Sequence, residues 1–235
     1  YIGGFPPHPH RGFETVTYMI AGHMRHRDNA GHEGVIEAGG VQWMTAGRGV
    51  VHSEMPEQEE GLLAGLQLWV NLPASAKMSE PHYREHGPAA IPGETREDGV
   101  TVRVIAGTTA SGTAGPVQGL AVPVTYLDVT LPAAARFREP LPPAFNGFVY
   151  VLDGQARIGE TALTVHELAV LGEGDTLEVA AETDARLLVV AGRPLHEPVA
   201  RRGPFVMNTD KELLQAFRDY QKGAFGPDVD LRKRH

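Results

Sequence analysis

HPHRGFETVTYMIAG, residues 8–22, decides how this chain is read. From Glu14 onward the side chains alternate: Glu14, Val16, Tyr18 and Ile20 share one face, and Thr15, Thr17 and Met19 the other. A period of two is the signature of a β-strand. Residues i and i+2 of a strand point to the same side, so His8 and His10 can aim two imidazoles into one interior. Pro9 stiffens the backbone between them and cannot donate to a central ladder. GRGVVHSEMP, residues 47–56, repeats the device with His52 and Glu54, delivered by a tight turn at Gly47-Arg48-Gly49. Two neighbouring strands bearing these dyads would gather three imidazoles and one carboxylate. That set suits Fe(II), Mn, Ni, Co, Cu or Zn and leaves positions open on an octahedral ion. A divalent metal on His8, His10, His52 and Glu54 is the leading expectation, since clustered buried ionisable groups need such a partner.

Glu14 is the competing carboxylate. It shares parity with His8 and His10, but a regular strand sets it roughly 13 Å from His10. A bulge at Arg11-Gly12 would shorten that gap. Otherwise Glu14 pairs with Arg11 or Arg48. His23, His26, His32 and Asp28 lie between the two dyads and read as loop or hydrogen-bonding residues, with orientation of the ligands as the alternative. Trp43 and Met44 read as core.

Strand signals continue through residues 35–55, 61–73 (a buried strand) and 101–107. The first helix signal comes at Thr209-Asp210, a cap residue ahead of KELLQAFRDYQKG. There Leu213, Leu214, Phe217 and Tyr220 fall on one face and Gly223 ends the helix, giving a C-terminal helix over 210–223. TTASGTAGPVQG (residues 108–119) is small, polar and rich in Gly and Pro, and reads as a linker. The implied domains are 1–112 and 113–235. FNGFVYVLDG (145–154) resembles FETVTYMIAG (13–22), which points to an internal duplication. Matching the copies sets Pro140 and Pro142 at the places of His8 and His10, and Leu177 and Val179 at those of His52 and Glu54. On that match one copy kept a metal site and the other lost it.

Composition narrows the function. The 235 residues are 42% hydrophobic and 21% charged, as in ordinary globular chains, and the 28 Gly and 18 Pro are spread without a period. No apolar run approaches the roughly 18–20 residues of a membrane span. There is no Cys, so no thiolate site and no disulfide framework, and a cytoplasmic location is the default. A formal charge of −8 argues against direct nucleic-acid binding. The basic run Arg232-Lys233-Arg234 reads as a solvated tail.

HPHRGFETVTYMIAGHMRHRD, GGVQWMTAGRGVVHSEMP and GPFVMNTDKELLQAFRDYQKGAFG closely resemble the pirins, two-domain members of the cupin superfamily, over nearly the whole chain. QWMTAGRG followed by H-x-E-M-P is far more specific than a generic H-x-H. The resemblance implies that, against whole pirins, an N-terminal segment of a few tens of residues, with the first domain's opening strands, is not represented in this sequence. The resemblance implies an all-β fold of two stacked, jelly-roll-like cupin β-barrels with a C-terminal helix. It implies one metal, usually iron, in the first barrel on His8, His10, His52 and Glu54, and none in the second. Several pirins are similar to quercetin 2,3-dioxygenases, so the activity it implies is opening of a flavonol ring with O₂, with Glu54 as base. The alternative is a non-enzymatic, iron-dependent regulator that contacts transcription factors or metabolic enzymes. A monomer is expected.

Overall fold

The computed structural model describes residues 3–58 and 60–226; the basic run at 232–234 lies outside them. The chain divides into two compact units, one of residues 3–89 with 196–226 and one of Ala90–Leu195.

The first unit carries β1 (Phe5–His10), β2 (Phe13–Ala21), β3 (Met24–Asp28), β4 (Glu33–Ile36), β5 (Val41–Thr45), β6 (Val50–Pro56), β7 (Ala64–Asn71) and β8 (His82–His86). They form two four-stranded antiparallel sheets, in the orders β1-β6-β3-β4 and β7-β2-β5-β8. The sheets face each other: Glu54 of β6 reaches Thr17 of β2 and Gln67 of β7, and His26 of β3 reaches Glu85 of β8. Alternation in β2 turns Phe13, Thr15 and Thr17 toward the facing sheet, while Val16 and Tyr18 are fully buried on the other side. Trp43 and Met44 are fully buried, as a core reading requires. The strand expected to be buried at 61–73 is β7, and it is mostly half-buried.

The second unit carries β9 (Gly93–Thr95), β10 (Thr101–Ala106), β11 (Val124–Leu131), β12 (Arg136–Pro140), β13 (Asn146–Asp153), β14 (Ala156–Ile158), β15 (Thr161–Leu163), β16 (Leu168–Val170), β17 (Thr176–Ala181) and β18 (Ala185–Gly192). Its sheets run β12-β17-β14-β15 and β16-β13-β18-β11-β10-β9. The first repeats β1-β6-β3-β4 strand for strand, and β18-β13-β16 repeats β7-β2-β5. The duplication suggested by FNGFVYVLDG is thus a duplication of topology. Val102, Leu127, Phe137, Val149, Leu177, Val179, Leu187 and Val189 from both sheets fill one apolar core. Each contributes about 1.5–3 kcal/mol when fully buried. In both units the strands form open paired sheets, a cupin β-sandwich in place of the closed barrels expected.

Residues 108–119 are no linker. They join β10 to β11, which pair directly, for example Thr101 with Thr130 and Val102 with Val129. Thr109 closes its own turn by accepting from Gly112 N at 2.9 Å and binds Glu94 through Oγ1 at 2.9 Å. A boundary at 112 would cut a hairpin. The chain instead leaves the second unit near Leu195, and its end packs on the first as β19 (Ala200–Arg202), β20 (Phe205–Met207) and α1 (Asp210–Gln221). Thr209 caps α1 by accepting from Glu212 N at 3.2 Å. The buried stripe of α1 is Leu213 and Ala216 with Phe217 against them, whereas Leu214 is 51% exposed and Tyr220 39%. Positions 213, 216 and 217 follow the i, i+3, i+4 row, and Leu214 lies about 100° off it.

This C-terminal hairpin is stitched to the start of β2. Val206 N donates to Arg11 O at 3.0 Å. The fully buried Lys77 Nζ donates to Gly12 O, Asn71 Oδ1 and Val206 O at 2.6–2.9 Å, and burial lowers its pKa to about 8. Gly12 sits at φ +88°, and a Cβ there would stand 2.0 Å from Val206 O, so only glycine allows the approach.

Candidate metal centre

β1 and β6 pair antiparallel with His8 directly across from His52. His10, two residues on, lies on the same face of β1. The three imidazoles meet: their ligand atoms all lie within 4.8 Å of one another, and ring centroids are 4.5–5.0 Å apart. β1 is an edge strand, which is where Pro9 can be tolerated.

His10 and His52 are buried, and His8 is half-buried. His8 Nδ1 donates to Pro6 O at 2.8 Å, which leaves the Nε2 lone pair available. Among the described residues, neither ring nitrogen of His52 has a hydrogen-bond partner, nor does His10 make a well-formed hydrogen bond. Burial, reinforced by His8, lowers the His10 pKa to about 3, against a pull upward from the Pro204 carbonyl. Burial, followed by His10, His8 and His26, holds His52 well below its ordinary value. Both rings are therefore neutral at pH 7, the state a metal requires. Buried imidazole nitrogens facing one another without partners fit a cation in their midst.

Glu54 is not in that three-histidine group. It is 1% exposed, and its carboxylate accepts from Thr17 Oγ1 at 3.0 Å and from Gln67 Nε2 at 3.0 and 2.9 Å. Glu14 is held elsewhere: Thr45 Oγ1 donates to its Oε1 at 2.6 Å. Arg11 and Arg48 pair with Asp219 and Glu80, not with Glu14. His26 lies across from Glu54 on β3 and binds the Glu85 carboxylate at 3.2 Å, while His32 binds Asp28 at 2.8 Å. Gln67 and Trp69 are absent from the sequence-derived site. Their spacing of two in LQLWVN put them on one face, but nothing in the sequence says which face of β7 looks toward the histidines. Trp69 packs edge-on against His10 at 5.5 Å and donates through Nε1 to Gln67 Oε1 at 3.3 Å.

The second unit's register shifts the expected match by one residue. Glu139, rather than Pro140, lies across from Leu177 as His8 lies across from His52. Phe137 faces Val179 as Phe5 faces Glu54. Two of the four corresponding positions, Leu177 and Val179, belong to the apolar core.

Paired β-sandwiches of this topology, one of them holding converging imidazoles, define the two-domain cupins. The chain belongs to the pirin family: the pirin model matches residues 1–70 and the pirin C-terminal cupin domain matches residues 126–226. A pirin-like protein of Caulobacter vibrioides is 56% identical over 225 residues, covering 96% of this chain and 82% of the relative. A crystal structure of quercetin 2,3-dioxygenase from Acinetobacter baumannii superposes with a TM-score of 0.91 at 38% identity, over 97% of this chain and 81% of its own. A bacterial pirin from Escherichia coli, solved in complex with nickel(II), shares the fold at a TM-score of 0.65 and 19% identity, over 81% of this chain and 77% of its own. Among the described residues, no helix is long and apolar enough to cross a membrane.

Proposed function

We propose that this pirin is a metal-dependent dioxygenase that opens flavonols of the quercetin type, with Fe(II) held by His8, His10, His52 and Glu54. The observation that carries the reading is the meeting of three imidazoles, two of which, His10 and His52, have buried nitrogens without a partner among the described residues. Likeness to a quercetin 2,3-dioxygenase structure supports the substrate class. Bound there, the metal would supply Lewis acidity toward the substrate hydroxyl and redox access to O₂.

The chain's own residues do the rest. His8 is fixed in one tautomer by Pro6 O, and His10 and His52 stay neutral without giving up a proton first. Thr17 and Gln67 orient the Glu54 carboxylate, which serves as the base for the flavonol 3-hydroxyl proton. The facing sheets keep Glu54 out of bulk water. The ring then takes up both atoms of O₂ and loses one carbon as CO. The test is aerobic turnover of quercetin with CO release. The expected result is turnover that tracks metal content and vanishes in His8→Ala; turnover that survives metal loss in that variant overturns the reading.

A further inference from the structure

Arg201 lies outside the cluster described above, yet the fold takes care to place it. It sits on β19, whose partner β20 is pinned by Arg11, Lys77 and the missing Cβ of Gly12. From there its guanidinium lies over the Trp69 ring, 5.1 Å from the centroid. The same indole meets His10 edge-on at 5.5 Å and packs against Phe13, tilted by 35°, at 4.3 Å. Arg201 is therefore one indole away from the imidazole cluster. It is exposed, and no ion pair engages it among the described residues.

Stacking uses only the π face of a guanidinium. Its in-plane N–H fork remains free, and that fork matches a carboxylate or an ionised phenol. The half-buried indole beneath it, packed against Phe13, positions the guanidinium and adds an apolar contact beside the fork. Trp69 is itself tied to the carboxylate machinery, since it donates to Gln67, which donates to Glu54. A cation, a flat apolar face and a hydrogen-bonded path to Glu54 thus stand in a row.

We infer that Arg201 and Trp69 form a recognition subsite for an anionic group on a planar aromatic substrate, remote from the hydroxyl that faces the histidines. This rests on the dioxygenase reading for which end of the substrate meets the metal. It adds that the preferred substrates are aromatic acids or ionised polyphenols, and that neutral isosteres are discriminated against. Arg201 is a specificity-determining residue and takes no part in the bond changes.

The test is calorimetric binding of two matched ligands, 4′-carboxy-3-hydroxyflavone and its carboxamide, to metal-loaded protein. The expected result is binding of the carboxylate at least ten-fold tighter. Arg201→Gln should cut that preference to two-fold or less, acting mainly on the carboxylate, and Arg201→Lys should keep an intermediate preference. Thermal melting of each variant checks that the hairpin stays docked. Equal affinity of the two ligands for the wild-type protein overturns the inference. So does an Arg201→Gln variant that keeps the preference, or one that weakens both ligands alike, as a purely structural staple would. Quercetin turnover separates the two ideas. An Arg201-dependent preference without turnover leaves this subsite standing and removes the dioxygenase reading; turnover without the preference does the reverse.

Discussion

Replacing His52 by Leu probes the central claim most directly. In the metal-free protein this imidazole is fully buried, and neither of its nitrogens has a partner among the described residues. A buried polar group left unsatisfied costs about 1–3 kcal/mol, so two of them cost on the order of 2–6 kcal/mol. Leu has a similar volume and removes both, at an overpacking cost of about 1–3 kcal/mol. The net expectation is that His52→Leu is more stable than wild type by about 2 kcal/mol in the presence of a chelator. At roughly 2–4 °C per kcal/mol for a chain of this size, melting rises by about 4–8 °C. Adding metal at about a thousand times its Kd should stabilise the wild type by about 4 kcal/mol, and the variant far less. The order of melting temperatures then inverts between chelator and metal. Differential scanning calorimetry with and without Fe(II) or Ni(II) reads both arms. A metal-free variant that melts below the wild type refutes the reasoning, because the imidazole would then be contributing to stability by itself.

Other expectations follow from the same geometry. The His10 pKa of about 3 lies below its ordinary 6.5, so between those values the unfolded chain binds a proton here that the folded chain does not. Metal-free protein should lose stability as pH falls from 6.5 toward 3, and His10→Leu should flatten that slope in urea titrations. Gln67→Leu removes two of the hydrogen bonds to Glu54; if Glu54 binds the metal, affinity should fall roughly 10–100-fold in competition with a chelator, and unchanged affinity argues against that role. Gly12→Ala places a Cβ 2.0 Å from Val206 O at a left-handed backbone position. It should cost about 3 kcal/mol or more and raise hydrogen exchange across 205–213 ahead of global unfolding.

What the sequence could reveal was whatever a period of two controls. His8 and His10 share a face for the same reason that Thr15 and Thr17 do, and the two dyads fall on adjacent strands. The anchors of Glu54 were hidden, because they come from the sheet across the sandwich. No local pattern says that Gln67 will lie under a carboxylate thirteen residues earlier. The division of the chain was hidden for a different reason. A hairpin loop and an interdomain linker draw on the same small, polar and turn-forming residues, so residues 108–119 look alike in either role. Only the pairing of β10 with β11 separates them. Counting apolar residues sets Leu214 on the buried stripe of α1; the three-dimensional row through Leu213, Ala216 and Phe217 excludes it.

The two copies also show why one keeps converging imidazoles and the other does not. At the position of His8 the second unit has a buried carboxylate, Glu139, and a carboxylate is a competent metal ligand. Its oxygens are already taken: Arg96 donates to one at 2.6 Å and Ala110 N to the other at 2.8 Å. Arg96 is held in turn by Glu94 at 2.6 Å and lies over Phe137. Glu139 is thus a satisfied ion-pair member, while Leu177 and Val179 extend the apolar core beside it. A sandwich interior can be stabilised by apolar packing or by closing polar groups on one another. The second unit does both, and both oxygens of Glu139 have partners. The first unit leaves His52 unpartnered between two other imidazoles, and a polar interior left open in this way is what a bound cation would complete.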